Sequence, residues 1–309
     1  MPAFAGFTDR GSFQNSTSGT TTSVALTTSG AIAAGRVAVL RLATTYDGDL
    51  AASGATDHHT GIDDTLGNTW TKLGEASRVG SQGDPTISLW ICEVAVEIPS
   101  GTTITASIDV AIKGRAMRLV EYQFEDEGST LILGDAGVAS GTGTALAVTA
   151  PQTLEDEWTW LLAGATKADS GDSVTIESGW DTDVAKYGTS GGGNFRSTTI
   201  FGQSQALTAD DHSWAGSSVS TEWALVLCPV AIVPPPIEPI PGVREYQIDF
   251  ETEGHQLDGL STTRRPDAAS LDYRTAFTMG PVALGDTSEG LIEWTWRARC
   301  EGRAIYLAR

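Results

Sequence analysis

The feature that most limits the fold of this chain is its period-two alternation of apolar and polar residues in short segments. No stretch keeps the spacing of an amphipathic helix over three turns. The clearest alternation lies in residues 102–110. Side chains of a strand point alternately to its two faces, so one face of this segment collects Ile104, Ala106, Ile108 and Val110. This pattern predicts an all-β protein.

Turn-forming residues separate these segments at short intervals along the chain. Glycine accounts for 35 of the 309 residues, and Asp, Ser and Thr fill most of the other breaks. Many short strands at this spacing are typical of a two-sheet β-sandwich with a jelly-roll-like arrangement. The segments predicted as strands are residues 23–28, 36–43, 69–73, 86–96, 102–110, 115–124, 145–149, 158–165, 173–176, 197–203 and 221–230.

Prolines mark a domain boundary. Six of the 12 prolines lie in residues 228–242, and proline removes backbone donors and favours an extended polyproline conformation. We therefore predict a large β-sandwich domain over residues 1–228, with a flexible or surface-bound arm at residues 4–15. A proline-rich linker at residues 229–242 then acts as a stiff spacer or follows the surface of the first domain.

The tail, residues 243–309, is predicted to be a small β-rich domain for assembly or docking. It has eight arginines and no lysine, and a domain of this size often needs a partner surface. Its last segment predicts a hairpin whose final strand pairs at the terminus. An unpaired edge strand is a template for another subunit, so we expect a homo-oligomer, with a trimer favoured. The predicted assembly residues are Trp294, Trp296, Arg297 and Arg299.

Charge and hydropathy exclude several classes of protein. The chain has 39 acidic and 19 basic residues and a formal net charge of -20. Such a surface repels nucleic acid. No apolar run approaches the length of a membrane span, and the first residues lack the pattern of a signal peptide. We therefore expect no nucleic acid partner, no membrane span and no export of this chain by a signal peptide.

The three cysteines are widely separated. None of them forms a Cys-x-x-Cys pair, so neither zinc binding nor thioredoxin chemistry is indicated. Cys92 and Cys228 lie in apolar, strand-like segments, as core thiols do. We predict reduced, buried thiols.

One loop concentrates side chains that bind metals. It contains Asp57, His58, His59, Asp63 and Asp64, and its oxygens would suit a divalent cation such as Ca²⁺. The spacing matches neither an EF-hand nor a His-Glu-x-x-His motif. Acidic, glycine-rich loops are usually solvated turns, so we expect no cofactor and keep the cation as the alternative.

Catalytic patterns are not indicated. Glycoside hydrolysis uses two carboxylates across a cleft, and the candidates are Glu121, residues 125–127 and residues 155–157. Each group sits beside a turn, where charges are ordinarily solvated. No strand-turn-helix nucleophile elbow is indicated, and His212 has acidic neighbours only in sequence. We predict that the protein is not an enzyme.

Aromatic residues provide candidates for a sugar-binding surface. Trp180 and Trp214 lie in polar loops and are predicted ligand contacts, although packing against the protein's own sandwich is an equal alternative. The tryptophans in apolar strand patterns are predicted core residues: Trp70, Trp90, Trp158, Trp160 and Trp223.

Four segments in order resemble a known module. Residues 63–71 read DDTLGNTWT, residues 87–92 read ISLWIC, residues 101–106 read GTTITA, and residues 117–122 read MRLVEY. Their order over roughly residues 20–230 resembles a β-sandwich module that recurs in structural proteins of tailed bacteriophages. In that module Trp70 and Trp90 would be core residues. After Glu-Tyr the module usually continues with Ser-Gly, whereas this chain has Gln-Phe-Glu.

The resemblance implies a non-enzymatic structural component of a phage virion, located in the tail, a tail fibre, or a neck or head appendage. The implied partners are other virion proteins and a glycan of the host surface during host attachment. The alternative is a carbohydrate-binding module or a polysaccharide-degrading enzyme. The resemblance implies no catalytic residues.

Overall fold

A computed structural model describes residues 4–46, 57–78, 84–124, 127–151, 158–167, 174–175, 180–188, 198–207, 213–218, 222–233 and 235. Every regular element in these residues is a β-strand, so the all-β prediction is confirmed. The strands are β1 (Phe4–Thr27), β2 (Val37–Tyr46), β3 (His59–Asp63), β4 (Thr71–Ser77), β5 (Pro85–Glu93), β6 (Thr103–Phe124), β7 (Thr130–Leu133), β8 (Gly137–Thr142), β9 (Ala145–Thr149), β10 (Trp158–Lys167), β11 (Val174–Thr175), β12 (Asp181–Gly188), β13 (Thr198–Leu207), β14 (Ser213–Ser218) and β15 (Glu222–Val233). None of the described residues forms a helix that could span a membrane.

The first sheet has the strand order β1-β6-β2-β5-β4, and β3 pairs with β6 beside this path. Its two long strands, β1 and β6, pair from Phe4 opposite Phe124 to Thr27 opposite Thr103. The register shifts near Thr21, where extra residues bulge first on β1 and then on β6. Because bulges bend a ladder, the first half of β6 lines the second apolar cluster alone, whereas its second half places Val120 in the first cluster and Leu119 in the second.

Two further sheets complete the described fold. The second sheet has the order β12-β13-β10-β15-β7, with β8 also paired to β15, and the third has the order β11-β14-β9. All the pairings are antiparallel. The first and second sheets pack face to face, so the predicted β-sandwich is confirmed.

Three apolar cores hold these layers together. The first core lies between the first and second sheets, the second core lies within the bend of the first sheet, and the third core lies between the second and third sheets. Strand β15 contributes Val226 to the first core and Leu227 to the third. A strand that is buried on both faces reads as a continuous apolar run, which explains why β15 shows no alternation.

In the first half of β6, the alternation of apolar and polar residues determines which face is buried. Ile104, Ala106 and Ile108 of β6 are buried in the second core, and Val110 packs partly buried against it. The predicted inward face of residues 102–110 is confirmed. The break predicted between residues 110 and 115 is absent, because β6 continues through it as one strand.

The predicted N-terminal arm at residues 4–15 is wrong. These residues form the first half of β1 and pair along β6 from Phe124 to Arg115. Backbone hydrogen bonds require no particular side chains, so a polar, glycine-containing segment can form a strand without showing alternation.

Residues 229–233, predicted as the start of the linker, belong to β15, which ends at Val233. Pro229 lies opposite Trp160 of β10, and Val230 lies opposite Leu133 of β7. The chain divides into two units, Met1–Pro235 and Pro236–Arg309. The rest of the linker and the predicted tail domain lie outside the described residues.

Candidate functional site

The histidine centre consists of His58, His59, Lys72, Glu75, Ser88 and Thr44. Its middle is the carboxylate of Glu75 in β4, which accepts hydrogen bonds from the backbone N–H of His58 at 2.7 Å and of His59 at 3.1 Å. Lys72 donates to the same carboxylate at 3.0 Å. The Glu75 side chain is only 4% exposed. These bonds attach the start of β3 to β4, two strands that are not neighbours in the sheet.

The His59 ring is enclosed between two strands of the first sheet. Its Nδ1 lies 2.6 Å from Ser88 Oγ in β5, and its Nε2 lies 2.9 Å from Thr44 Oγ1 in β2. The indole of Trp90 donates to Ser88 Oγ at 2.8 Å. A neutral imidazole has one donor and one acceptor, and a hydroxyl can supply either partner. The ring is therefore hydrogen-bonded at both nitrogens while it is fully buried.

Burial changes the proton affinity of both central groups. It lowers the pKa of His59 to about 3, and the charge of Lys72 acts in the same direction. Burial raises the pKa of Glu75 to about 7, although the hydrogen bond from the His58 backbone N–H opposes it. The His59 ring is therefore neutral at pH 7, and Glu75 is close to its midpoint.

The outer side of the histidine centre faces solvent. Lys72 also pairs with Asp57, whose side chain is exposed, and its Nζ lies 5.0 Å from the centre of the Trp90 ring. Burial works against the ionisation of Asp57, but the hydrogen bonds from Lys72 and Glu75 and the charge of Lys72 lower its pKa overall. His58 Nδ1 lies 3.0 Å from Asp109 Oδ1 of β6.

Ser88, His59 and Glu75 are the residue types of a nucleophile, a base and an orienting acid, but their geometry differs from that arrangement. The acid and the nucleophile contact opposite ring nitrogens in a working triad. Here Glu75 Oε2 lies 3.9 Å from Nδ1, the same nitrogen that contacts Ser88. Ser88 and His59 are also fully buried. The centre is built as a structural polar network.

The other two predicted metal ligands belong to a separate turn. Asp64, which is buried, accepts from the Leu66 backbone N–H at 2.9 Å and from Asn68 Nδ2 at 2.8 Å. Its second oxygen also lies 3.3 Å from the Trp70 indole nitrogen. Asp63 Oδ1 accepts from the backbone N–H of Thr65, a residue with φ of 62°. These hydrogen bonds pair the carboxylates of Asp63 and Asp64 with donors of the same turn.

The loop residues predicted as metal ligands are therefore not brought together. Asp57, His58 and His59 belong to the histidine centre, whereas Asp63 and Asp64 hold the turn before β4. In the part of the chain that the structure describes, no group of three or more His, Cys, Asp or Glu side chains could hold a metal ion.

Of the two alternatives for Trp180 and Trp214, packing against the protein's own sandwich is observed, and exposure to a ligand is not. Trp180 is 8% exposed and Trp214 is 1% exposed, and both pack in the third core. The polar residues around them indicated surface loops, but the third sheet covers the outer face of the second sheet and buries both side chains. Trp90, Trp160 and Trp223 are buried as predicted, and Trp70 packs partly buried against the second core.

The remaining candidates are distributed differently. Glu121 is buried and pairs with Arg10, while Glu127 is exposed. Cys92 and Cys228 are buried free thiols as predicted, and burial raises the pKa of each to about 12. The other candidates lie outside the described residues: Glu125, Asp126, residues 155–157, His212, Trp294, Trp296, Arg297, Arg299 and Cys300.

Sequence reasoning missed the residues that complete the histidine centre, namely Thr44, Lys72, Glu75 and Ser88. A signal for two of them was present. Ser88 interrupts the apolar run of β5, and Thr44 follows the apolar run of β2. A polar residue at a buried strand position needs a partner, which points to a buried polar network.

Comparison of the chain with family models, with curated proteins and with solved structures finds no match in any of the three. Functional inference therefore depends on the residues themselves.

Proposed function

We propose that this chain is a non-enzymatic structural component of a tailed-phage virion, placed in the tail, a fibre, or a neck or head appendage, where it contacts the host surface. The observation that supports this most directly is the closure of the histidine centre. The buried Ser88 hydroxyl is hydrogen-bonded to the His59 ring, and Glu75 accepts from the backbone N–H groups of His58 and His59. Groups that are enclosed in this way stabilise a fold and have no access to a substrate.

The segments that carry the resemblance to phage modules also have structural roles. Asn68, in the GNTWT segment, accepts from the backbone N–H groups of Ala95 and Val96 at 3.0 and 2.8 Å. This joins the turn before β4 to the loop after β5. Trp90, in the second segment, packs in the second core. Such positions recur in a module for architectural reasons, in agreement with a structural protein.

The alternative, a carbohydrate-binding module or a polysaccharide-degrading enzyme, loses its predicted aromatic contacts. Trp180 and Trp214 are buried in the third core and offer no surface to a sugar. Of the two described carboxylate candidates for hydrolysis, Glu121 is engaged by Arg10 and Glu127 is exposed at a turn. The structural role therefore has the stronger support.

The test is the composition of purified particles. Phage particles from the strain that encodes this chain are banded in a density gradient, washed at high salt and analysed by quantitative mass spectrometry. We expect the chain to remain with the particles in a fixed ratio to the major capsid protein, and gold-labelled antibodies to mark one site. Recovery of the chain only from the soluble lysate would contradict the proposal.

Hydrolysis is tested separately. The purified protein is incubated with host polysaccharide, and new reducing ends are measured. We expect none. Release of sugar that disappears in Glu121→Gln would favour the enzyme alternative.

We further propose that copies of the chain associate through the tail at residues 243–309, with a trimer expected. Trp296→Ala in the full chain is expected to lower the solution mass from oligomer to monomer, and Trp180→Phe in the third core is expected to leave it unchanged. Equal masses for the wild type and Trp296→Ala would remove that residue from the proposed interface.

A further inference from the structure

A recess of about 420 Å³ lies at one end of the first sheet. Its walls are the first half of β1, the end of β6, the segment before β2 and the loop after β5. The polar side chains that line it are Thr8, Arg10, Arg36, Glu97, Glu121 and Gln123. Its size is within the range of small-molecule sites. We call it the arginine recess.

Glu121 lies at the base of the recess and its side chain is 9% exposed. Arg10 donates to its Oε2 through Nε and also contacts that oxygen through Nη2. Removal of a carboxylate from water is costly unless it is paired, and Arg10 provides the pairing. This ion pair forms a fixed base for the recess.

Arg36 is held less tightly. Its Nε lies 3.8 Å from Glu121 Oε1, and its side chain is 28% exposed. At this distance the charges attract each other but the atoms do not share a hydrogen bond. The N–H groups of Arg36 therefore remain able to donate to a ligand in the recess.

Gly30 supports this arrangement. A Cβ at position 30 would lie 2.6 Å from Arg10 Nη1, so a side chain there would push the Arg10 guanidinium away from its place. The missing side chain leaves room for Arg10 beside Glu121.

The chemistry of the recess favours one carboxylate. A guanidinium recognises a carboxylate through two parallel hydrogen bonds, and Arg36 supplies such a fork. A ligand with many carboxylates is disfavoured, because Glu97 lines the same recess and the whole chain has a net charge of -20. The preferred ligand has a single negative charge.

The rest of the lining favours hydroxyl groups. Thr8 and Gln123 are exposed and present a hydroxyl and an amide, and Glu97 adds an exposed acceptor. The apolar lining consists of Ala5, Phe7, Ala31 and Ala33, and the exposed Phe7 ring with the small alanine side chains suits the flat C–H face of a sugar ring. A ligand with several hydroxyls and one carboxylate meets both requirements.

We infer that the arginine recess binds an acidic sugar, a residue of the uronic acid type, with its carboxylate on Arg36 and its hydroxyls on Thr8, Gln123 and Glu97. The inference goes beyond the proposed function, because it concerns binding by the isolated protein and does not depend on incorporation into a particle. If the chain were absent from purified particles, the inference about binding would still stand. If the protein failed to bind the sugar, the structural proposal would still stand.

The test is calorimetric titration of the full-length protein at low ionic strength with four probes: sodium glucuronate, glucose, sodium acetate and a hexaglutamate peptide. We expect saturable binding of glucuronate with a Kd of about 1 mM. Glucose and acetate are each expected to bind at least about tenfold more weakly, because each lacks one half of the recognised chemistry.

Arg36→Gln is the decisive variant, since its long ion pair contributes little to the fold. It is expected to weaken glucuronate binding about tenfold, and Arg36→Lys, which keeps the charge but loses the fork, to give an intermediate loss. Arg118→Gln is the matched control. Arg118 lies on β6, the strand that carries Glu121, pairs with Asp9 and does not line the recess, so unchanged affinity is expected.

Five results would overturn the inference. If glucose bound as tightly as glucuronate, the carboxylate would not be part of what the recess recognises. If acetate bound as tightly, the sugar ring would not be. Tighter binding of hexaglutamate would identify an acidic peptide as the ligand class. If glucuronate did not bind, or if Arg118→Gln weakened its binding as much as Arg36→Gln does, the recess would not be the binding site.

Discussion

The histidine centre and the arginine recess each contain a carboxylate that is almost fully enclosed, yet the two regions differ in what their polar neighbours can still do. The Glu75 side chain is 4% exposed and the Glu121 side chain 9%. Glu75 is bonded to two backbone N–H groups and to Lys72. Glu121 forms a close ion pair with Arg10, and the Nε of Arg36 lies 3.8 Å from its second oxygen.

The difference shows that burial of a charge alone does not identify a binding site. In the histidine centre the enclosed donors and acceptors are directed at one another, so the network joins β2, β3, β4 and β5. In the arginine recess Arg36 retains donors that face an open cavity. The first arrangement can only stabilise, whereas the second can also recognise a ligand. Substitutions that separate stability from binding test this distinction.

The largest expected effect concerns His59. The unfolded chain binds a proton at the ordinary histidine pKa of 6.5, whereas the folded pKa is about 3. Stability conferred by the neutral ring is therefore lost as the pH falls from 6.5 towards 3. The stability advantage of the wild type over His59→Gln should shrink over this range by up to about 5 kcal/mol. Urea denaturation followed by tryptophan fluorescence at pH 7 and pH 3 measures it.

Thr44→Val is the control for this experiment, because it removes a hydrogen-bond partner of the ring without removing the titrating group. Its cost should be similar at both pH values. A His59→Gln deficit that does not change with pH would mean that the ring is accessible to protons in the folded protein.

Glu75→Ala should destabilise the protein by about 3 to 5 kcal/mol, since it leaves Lys72 and two backbone N–H groups without their acceptor. The free energy of unfolding at pH 8 is the measurement. Glu97→Ala, at an exposed carboxylate of the arginine recess, should cost less than about 0.5 kcal/mol. Similar costs for the two variants would contradict the assignment of the histidine centre as the structural region.

Glu75→Gln should show a pH dependence of the opposite sign to that of His59. The folded pKa of Glu75 is about 7, above its ordinary value of 4.5. The folded protein therefore holds this proton more tightly, and stability decreases as the pH rises from 4.5 to 7. Glutamine does not titrate, so the deficit of the variant should shrink by up to about 3 kcal/mol between pH 5 and pH 8. A deficit that grows with pH would reverse the sign and refute the account.

Arg10→Gln should cost about 1 to 2 kcal/mol, because among the described residues Glu121 would keep only the distant Arg36 as a charged partner. The partial exposure of Arg10 limits the loss. Thermal unfolding measures this loss of stability. A loss as large as that of Glu75→Ala would mean that Glu121 and Glu75 contribute to the fold in the same way.

The smallest expected effect on stability is that of Arg36→Gln, below about 0.5 kcal/mol. The same substitution is expected to weaken glucuronate binding about tenfold. Unfolding and calorimetry on one preparation provide both values. Loss of stability without loss of binding would assign Arg36 to the fold.

Several parts of this fold could be predicted from local sequence. Strand β9 was predicted with its observed bounds, Ala145–Thr149, because its alternation is bounded by clear turn residues. The face of β6 that carries Ile104 was also correct. Strands β3, β7, β8, β12 and β14 were missed, since short or polar strands rely on backbone pairing with distant partners and leave little pattern in their own residues.

The candidate sites were less predictable for the same reason. His59 was recognised as a residue of interest, but its partners Thr44 and Ser88 lie 15 and 29 positions away. Trp214 was placed on the surface because its neighbours in sequence are polar. The third sheet, which covers it, forms by pairing of β14 with β9 and β11, and no local pattern indicates that a sheet has a further layer above it.

The sequence by itself determined the class of structure. The two-residue period, the turn residues and the lack of helical spacing leave an antiparallel β-protein as the arrangement that buries the apolar faces. Only the tertiary structure decided which polar residues are enclosed and which are open. Glu75 and Glu121 are both carboxylates on strands, and nothing in their local sequence distinguishes them. Their roles diverge because long-range strand pairing surrounds Glu75 with fixed backbone donors and places Glu121 beside Arg36, whose Nε lies 3.8 Å away, beyond hydrogen-bond distance.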